Sequence, residues 1–379
     1  MRIAIDIRHL THPRLSGVGL YTLNVLRVLS RISRDDEFFM FASGSKKTLA
    51  RLPGLPSRNM TLVTRRIPNR ILFALLRMPF GPTMERLLGH RVDAWWFPDG
   101  NILRTNLPYA LTVHDLAIDI FPEFFTAKDR ARHRVAHTPD IAKNAGAVLA
   151  VSESTAADVV MRWNVDREKI SVTPLGVNAQ YTPHVAPSDR NYQRGYGLSQ
   201  PYILFLATLE PRKNIESIIE AYDAYRSAGN AAPRLVIAGG EGWKADRVRK
   251  TVAAAAHRAD IAFLGYVHEK HKPALYRGAS AVVFPSFYEG FGLPVLESMA
   301  CGTPVITSFA GSLPEVGGDA AIYVDPFNVS DIVGAFTQLF HPVTGPALKK
   351  LLTTRGILRA RDFTWDKTAE ATLEALRGL

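Results

Sequence analysis

Short runs rich in β-branched and aromatic residues alternate along this chain with stretches of helical periodicity, and this alternation is the strongest constraint on its fold. Strands separated by helices need crossover connections, so the pattern predicts an α/β protein with parallel sheets. The pattern occurs as two successive series. We expect strands at 2–7, 38–41, 61–63, 94–97, 110–113 and 147–151 in the first series, and at 202–207, 234–238, 261–264, 281–284, 303–307 and 321–324 in the second.

Two series imply two domains, since 379 residues exceed what one compact core usually holds. Residues 181–200 lie between the series, are polar and contain two prolines and two glycines, which is typical of a linker. We therefore expect an N-terminal domain at 1–180 and a C-terminal domain at 201–361. After Thr364, apolar side chains recur at helical spacing and predict a closing amphipathic helix: Trp365, Ala369, Leu373 and Leu376.

Composition excludes several classes of protein. The chain is 47% hydrophobic and 21% charged, which excludes wholesale disorder. Its single cysteine, Cys301, excludes an intramolecular disulfide framework and a cysteine-rich zinc site, and we interpret it as a small packing residue. The start has no signal-peptide pattern, and no run approaches the roughly 18–20 apolar residues of a spanning helix. We expect a cytoplasmic protein.

Positive charge is concentrated in the first half. The net charge is +11, and residues 1–180 carry 25 Lys and Arg against 16 Asp and Glu. Ten basic residues and one acidic residue, Glu85, lie in the range 46–91. This bias indicates a nucleic acid, an acidic lipid or a phosphorylated ligand, unless it is only a solvated surface. Within it, residues 65–77 (RRIPNRILFALLR) predict either a segment lying on an anionic bilayer or a helix packed on its domain.

The segment 284–304 (FPSFYEGFGLPVLESMACGTP) carries the most chemistry. A strand ends in a glycine-containing turn, Pro294 suits a helix start and Gly302 suits its end. The amide groups of Phe291, Gly292 and Leu293 would then favour an anion. Two carboxylates, Glu289 and Glu297, bracket the turn with seven residues between them. Carboxylates accept hydrogen bonds from paired hydroxyls, as in sugars, although two ordinary surface glutamates would give the same pattern.

Three further positions follow strands of the two series. Arg212 and Lys213 lie at a strand-to-helix turn, where basic residues oppose the helix dipole and could instead neutralise a diphosphate. His114 ends an apolar strand and suits donor or acid–base work, or a structural role. Gly17 and Gly19 form a G-x-G without the third glycine of a dinucleotide fingerprint, so they predict either a tight turn or a phosphate site.

Taken together, these motifs resemble the retaining glycosyltransferases of family 4. The resemblance spans nearly the whole chain and is closest to a bacterial mannosyltransferase-like subgroup that builds O-antigen and other surface polysaccharides. It implies the GT-B fold, in which two Rossmann-like domains face each other across a cleft and a C-terminal helix, here 362–379, crosses back to the first domain. The matching strings are the Gly17–Gly19 loop, VHDL at 113–116, LEPRKN at 209–214, VIAGG at 236–240, FLGYV at 263–267 and the E-x7-E segment at 289–297.

The resemblance also implies residue roles. Glu297 would bind the donor ribose, Glu289 the transferred sugar, and Lys213 with Arg212 the leaving diphosphate. Many family members have Arg where this chain has Thr208, and Arg212 could replace that charge. The remaining implied contacts are His114 with the sugar near its primary hydroxyl, Gly17, Gly19, Gly290, Phe291, Gly292 and Leu293 with the phosphates and sugar, and Tyr266 and Val267 with the base.

The expected reaction is transfer of a hexose from a nucleotide diphosphate sugar with retention of configuration. No metal or other cofactor is expected, because Lys213 and Arg212 can carry the charge and the chain has no D-x-D motif. The subgroup favours GDP-mannose, with GDP-rhamnose, dTDP-rhamnose and UDP-sugars as alternatives. The expected acceptor is a glycan or a lipid-linked oligosaccharide, which suggests a peripheral position on the inner face of the cytoplasmic membrane, without nucleic acid as a partner.

Other functions predict different sequence features. A nicotinamide-dependent dehydrogenase would want a third glycine at position 22, where the chain has Thr22, and an acidic residue after the second strand. A nucleic-acid-binding protein would explain the charge, but the basic segment has few aromatic residues and no recognition motif. A nucleotide-sugar epimerase or a phosphorylase of the same fold is a nearer alternative, although no pyridoxal-phosphate lysine is identifiable.

Overall fold

The computed structural model describes residues 1–13, 15–78, 80–100 and 104–379. These residues form two compact units. The first unit comprises Met1–Ile120, Ala127–Gly176 and Thr364–Leu379, and the second comprises Phe121–Thr126 and Val177–Phe363.

The first unit contains a fully parallel seven-stranded sheet in the order β3-β2-β1-β4-β5-β6-β7. Its strands are β1 (Arg2–Asp6), β2 (Glu37–Ser43), β3 (Met60–Arg65), β4 (Ala94–Phe97), β5 (Tyr109–Val113), β6 (Ala147–Ala150) and β7 (Ile170–Val172). The first six correspond to the predicted runs. The edge strand β7 was not predicted, because its three residues follow the charged Arg167–Lys169 turn and are too few to show a period.

Helices connect these strands and cover the sheet. They are α1 (Gly17–Ile32), α2 (Lys46–Leu49), α3 (Asn69–Arg77), α4 (Met84–Leu88), α5 (Ala117–Ile120), α6 (Ala127–Ala136), α7 (Thr138–Lys143) and α8 (Glu153–Trp163). Helix α1 begins at Gly17 and therefore includes both glycines, and Ser16 caps it by accepting a hydrogen bond from the Gly19 amide.

The second unit contains a parallel six-stranded sheet in the order β10-β9-β8-β11-β12-β13. Its strands are β8 (Tyr202–Leu206), β9 (Arg234–Ala238), β10 (Ile261–Gly265), β11 (Ala279–Phe284), β12 (Val305–Ser308) and β13 (Ala321–Val324). Its helices are α9 (Asp189–Gly195), α10 (Ile215–Ser227), α11 (Ala245–Ala254), α12 (Lys272–Gly278), α13 (Leu293–Ala300), α14 (Leu313–Gly317), α15 (Val329–Phe340) and α16 (Gly345–Ala360).

The last helix, α17 (Trp365–Arg377), belongs to the first unit although it follows the second in sequence. Trp365, Ala369, Leu373 and Leu376 are all buried, as the helical stripe predicted. Thr368 donates to the carbonyl of Pro174, and Arg377 pairs with the buried carboxylate of Asp36 at 2.7 Å. The return of the C-terminal helix to the first domain is therefore confirmed.

Residues 181–200 differ from the expected linker, because they are packed into the second unit. Helix α9 lies within this range, and its Asp189 carboxylate accepts hydrogen bonds from both Nε and Nη2 of Arg277 at 2.6 and 2.7 Å. The Gln193 amide donates to the carbonyl of Ala274. Proline and glycine content indicated a linker, but buried polar contacts to α12 make the segment part of a domain.

The short segment Phe121–Thr126 also departs from the expected boundaries, since it lies in the second unit. The indole Nε1 of Trp243 donates to the carbonyl of Phe124 at 2.5 Å. The rings of Phe125 and Trp243 stack with centroids 5.6 Å apart. Contacts between residues more than a hundred positions apart decide this placement, and no local pattern reveals them.

Candidate active site

A cluster of four charged side chains joins two loops at the carboxyl edge of the second sheet. The Lys213 ammonium lies 2.6 Å from Oε1 of Glu289, and Nη1 of Arg212 lies 2.7 Å from Oε2. Nη2 of Arg212 also pairs with Oε1 of Glu210 at 2.9 Å. The loop after β8 thus meets the loop after β11, as expected for neighbouring parallel strands whose carboxyl ends share one edge.

Burial makes this cluster electrostatically strong. The side chains of Glu289, Lys213 and Arg212 are 8%, 10% and 12% exposed. Burial alone would raise the pKa of the Glu289 carboxyl, but the charges of Arg212 and Lys213 outweigh that effect and lower the pKa. Glu289 is therefore ionised at neutral pH and holds both cations in place.

The turn between β11 and α13 has the geometry that its glycines predicted. Gly292 caps α13 with φ of +107°, a left-handed conformation in which a β-carbon would also lie 2.7 Å from Leu313. The Ser312 hydroxyl donates to the carbonyl of Phe291 and holds the turn in place. Among the described residues, no acceptor takes the amide hydrogens of Phe291, Gly292 and Leu293. The start of α13 therefore presents unused donors together with its dipole.

Glu297 lies on α13 and is buried in a different environment. The hydroxyl of Tyr276 donates to its Oε2 at 2.9 Å. Burial raises the pKa of the Glu297 carboxyl, although the nearby charge of Lys272 and the hydrogen bond from Tyr276 act in the opposite direction. The two glutamates of the E-x7-E segment thus have pKa values shifted in opposite directions, which their sequence positions do not reveal.

The residues predicted to meet the base lie just after β10. Tyr266 is 46% exposed, whereas Val267 is buried. They belong to the same unit as Glu289 and Glu297.

His114 and the glycine pair lie in the first unit. Nε2 of His114 lies 2.8 Å from the carbonyl of Pro98, which can only accept, so Nε2 carries the proton. Burial lowers the pKa of the imidazole, which is therefore neutral at pH 7 and has Nδ1 as its acceptor. The Tyr21 ring packs edge-on against it at 5.0 Å.

Gly17 and Gly19 are helical residues in the first turn of α1 and do not form a separate loop. Neither glycine has a positive φ. A β-carbon at Gly17 would meet no atom within 4 Å, so an approaching ligand has room there. The amide of Gly19 is already engaged by Ser16, at 3.3 Å.

Two further groups of residues lie beside these sites, and the sequence motifs did not indicate them. The first lines a cavity of about 450 Å³ at the start of α1, with His9, His12 and Asp99 among its walls. Burial lowers the pKa of His9, whose Nε2 lies 2.9 Å from the Thr22 hydroxyl. His9 lies seven positions before Ser16, the residue that caps α1, and this proximity to a helix start is the signal that the sequence offers.

The second group supports the charged side chains of the second unit. Glu210 holds Arg212, and Tyr276 with Lys272 surrounds Glu297. Glu210 lies within the LEPRKN string and could have been noticed there, whereas Tyr276 and Lys272 come from α12 and only the fold brings them near.

Comparisons with known proteins identify the family of this chain. The family model described as Glycosyltransferase Family 4 matches residues 15–181, and the one described as Glycosyl transferases group 1 matches residues 191–342. An O-antigen chain mannosyltransferase B of Escherichia coli is 30% identical over the full length of both chains. The chain belongs to the family 4 glycosyltransferases. The Escherichia coli serotype-specific mannosyltransferase WbdA is 29% identical over 62% of this chain, which spans 29% of that longer protein.

Solved structures show the same fold at low sequence identity. A sucrose-phosphate synthase from Thermosynechococcus elongatus superposes with a TM-score of 0.74 at 20% identity, covering 99% of this chain and 98% of that one. WaaG, a glycosyltransferase involved in lipopolysaccharide biosynthesis, superposes with a TM-score of 0.72 at 14% identity over the whole of both chains. This glycosyltransferase therefore has the GT-B fold.

Neither a membrane span nor a metal-binding cluster occurs among the described residues. No helix in that part of the glycosyltransferase is long and apolar enough to cross a membrane. No group of three or more His, Cys, Asp and Glu side chains within the same residues is arranged to hold a metal ion.

Proposed function

We propose that this glycosyltransferase moves a hexose from a nucleotide diphosphate sugar to a glycan or a lipid-linked oligosaccharide, with retention of configuration. The observation that carries the proposal is the buried contact of Glu289 with Lys213 and Arg212, beside the unused amides at the start of α13. Two cations and a helix start converge where a diphosphate would gain negative charge during transfer.

The proposed roles follow from this geometry. Glu289 holds the two cations in place and accepts hydrogen bonds from the sugar hydroxyls, and Glu297 accepts those of the ribose. Arg212 takes the place of the arginine absent at Thr208, since its guanidinium reaches the same carboxylate as Lys213. Nδ1 of neutral His114 accepts a hydrogen bond from a sugar hydroxyl. Tyr266 and Val267 meet the base, and Gly17 leaves room for the sugar, whereas the amide of Gly19 is taken by Ser16.

In the proposed reaction, the bond between the anomeric carbon and the diphosphate oxygen breaks while the acceptor oxygen bonds to the same face of that carbon. The acceptor hydroxyl proton goes to the departing diphosphate oxygen, so no separate base is needed. Lys213, Arg212 and the α13 amides stabilise the negative charge as it develops. The protein thus acts through fixed charges and oriented donors, and transfer should continue after divalent ions are chelated.

GDP-mannose is the proposed donor. The full-length relative and WbdA are both named mannosyltransferases, and the former is named for the O-antigen chain, which supports a role in surface polysaccharide biosynthesis. GDP-rhamnose, dTDP-rhamnose and UDP-sugars are the alternatives that an experiment must separate.

A donor panel tests the proposal. We expect GDP-mannose, at about one hundred times its Kd, to stabilise the protein by about 2–3 kcal/mol in thermal unfolding, with smaller shifts for UDP- and dTDP-sugars. Transfer of labelled mannose to an oligosaccharide acceptor should persist in EDTA. A different donor giving the largest shift would correct the sugar assignment, and loss of transfer in EDTA that added divalent ion restores would overturn metal independence.

We also propose that the first unit contacts an anionic membrane on its cytoplasmic side. Helix α3 buries Leu72 and Leu76 against its own unit, yet Ile71 and Met78 are 53% and 54% exposed and Phe80 is 99% exposed. Arg70 and Arg77 are exposed on the same short segment. Both sequence interpretations of 65–77 therefore have support, since one side of the helix packs and the other offers apolar and basic groups.

A further inference from the structure

An open cavity of about 550 Å³ lies at the β3 edge of the first unit's sheet, and none of its lining residues is among those proposed to act on the donor. Its floor consists of side chains from two adjacent strands: Met40 of β2 with Met60, Leu62 and Thr64 of β3. Arg66 follows β3 and also lines the cavity, and the segment between the two strands supplies the other lining residues: Lys46, Leu49, Leu52, Pro53, Leu55, Pro56 and Ser57.

The alternation of side chains along β2 and β3 shows which face of the sheet the cavity occupies. Met40 pairs with Leu62, and successive side chains of a strand point to opposite faces. The residues between them, Phe39, Phe41 and Val63, belong to the hydrophobic core that includes Leu72 and Leu76 of α3. The cavity is therefore on the sheet face opposite to α3.

The cavity is open because the β2-to-β3 crossover lacks a long helix. The preceding crossover contains α1, which has 16 residues, whereas α2 has only four. The chain after α2 reads ARLPGLPSR at 50–58, and Pro53, Gly54 and Pro56 prevent further helix. The face of β3 is consequently covered only in part, and Leu62 remains 45% exposed on an edge strand.

The charge of the lining has a single sign. Lys46 and Arg66 contribute the cations, and no acidic side chain takes part. Within the described residues, neither Lys46 nor Arg66 forms an ion pair. Ser57 and Thr64 are the neutral polar members, so the site offers few partners for a ligand rich in hydroxyls. A ligand that fits must combine an apolar body with an anionic group.

We propose that this cavity holds one acyl chain of an anionic glycerophospholipid, with the lipid phosphate between Lys46 and Arg66. The inference goes beyond the proposed membrane contact of α3, because the cavity lies on the opposite face of the sheet. The cavity volume falls within the roughly 300–1,000 Å³ of small-molecule pockets. The eight apolar side chains of the lining supply the hydrophobic surface, and two unpaired cations supply charge complementarity.

Binding of soluble short-chain lipids to the full chain tests the site by titration calorimetry. We expect dihexanoyl phosphatidylglycerol to bind at least about tenfold more tightly than dihexanoyl phosphatidylcholine, with no detectable binding of glycerol phosphate. The pair Lys46→Glu and Arg66→Glu should weaken phosphatidylglycerol binding at least about tenfold. The control pair Lys350→Glu and Arg361→Glu makes the same charge change on the second unit and should leave it within about twofold.

A label at the cavity rim locates the bound lipid. Cys301 is buried, and burial raises the pKa of its thiol to about 12, so Ser57→Cys provides a thiol that can be labelled selectively. A polarity-sensitive dye there should shift to the blue with phosphatidylglycerol, whereas the same dye on Leu358→Cys in α16 should not. Equal binding of both lipids, unchanged binding in the charge-reversed pair, or binding of glycerol phosphate alone would each overturn the lipid site.

The thermal shift with GDP-mannose, measured on the same variants, distinguishes failure of the lipid site from failure of the transferase proposal. If the charge-reversed pair loses the lipid but keeps the shift with GDP-mannose, the lipid site is supported independently. If the wild type binds the lipid but no sugar nucleotide, the transferase proposal fails and the lipid site remains.

Discussion

At the scale of single residues, the most consequential feature is the pairing of Glu289 with two cations. Removing the carboxylate charge would leave Lys213 buried and unneutralised, whereas Arg212 would keep its ion pair with Glu210; breaking a buried pair in this way typically costs about 3–5 kcal/mol. Glu289→Ala would therefore confound stability with activity. Glu289→Gln preserves the volume and some hydrogen bonds.

We expect Glu289→Gln to reduce the rate of sugar transfer by about 10²–10³-fold, because the cations lose the anion that orients them at the developing charge. The measurement is initial-rate transfer from GDP-mannose, with thermal unfolding as a check that the variant is folded. Glu220→Gln, on an exposed position of α10, is the matched control. A folded Glu289→Gln protein with nearly normal turnover would refute the assignment.

The opposite pKa shift of Glu297 makes a prediction about pH. A carboxyl whose pKa is raised on folding contributes stability that is fully present below its unfolded pKa of about 4.3 and is lost as the pH rises through the folded pKa. Glu297→Gln cannot ionise and escapes this loss. Its stability relative to the wild type should therefore increase from pH 4 towards pH 8.

Urea unfolding at a series of pH values measures this difference. Glu220→Gln serves again as the comparison, since its side chain is exposed. A constant difference between Glu297→Gln and the wild type over this range would contradict the raised pKa.

At the scale of elements, the docking of α17 depends on a close approach of two backbones. A β-carbon on Gly176 would lie 2.2 Å from the amide nitrogen of Trp365 and 2.5 Å from the carbonyl carbon of Thr364. These are backbone atoms that cannot rotate away. The absence of a side chain at Gly176 therefore allows the backbone there to lie against the backbone of Thr364 and Trp365 at the start of α17.

We expect Gly176→Ala to destabilise the protein by about 1–3 kcal/mol and to increase amide hydrogen exchange throughout α17, because the helix start must move outward. Gly195→Ala is the control, since a β-carbon there meets no atom within 4 Å. That substitution should be neutral or stabilising by up to about 1 kcal/mol. Unchanged exchange in α17 of Gly176→Ala would contradict this account.

At the scale of the whole molecule, the charge asymmetry receives a partial explanation. Arg65 is not available to a partner, because its guanidinium donates to the carbonyls of Leu87 and Leu88. Arg70 and Arg77 are exposed beside Ile71 and Met78. The basic excess thus divides into residues that tie the first unit together and residues that are free to meet a surface.

Replacing Arg70 and Arg77 with Ser should lower the affinity for phosphatidylglycerol vesicles about thirtyfold, because each basic residue contributes roughly 1 kcal/mol of binding free energy. Sedimentation with the vesicles measures this affinity. Replacing Lys350 and Arg361 with Ser removes the same charge from the second unit and should have little effect. Raising the salt concentration should weaken wild-type binding. Equal sedimentation of both double variants would remove the proposed membrane contact.

Local patterns were sufficient for the architecture and for the motif-bearing residues. Strand periodicity predicted both parallel sheets, the stripe from Trp365 predicted the closing helix, and Gly292, Pro294 and Gly302 predicted the turn and the end of α13. These features depend on hydrophobic period and backbone conformation, which neighbouring residues determine.

Tertiary structure alone decided which groups meet and in what electrostatic state. Two glutamates with seven residues between them acquire opposite pKa shifts, because one faces Arg212 and Lys213 and the other is buried beside Tyr276. The segments 181–200 and Phe121–Thr126 join the second unit through long-range contacts. Burial and charge are sums over residues distant in sequence, so only the folded chain sets them.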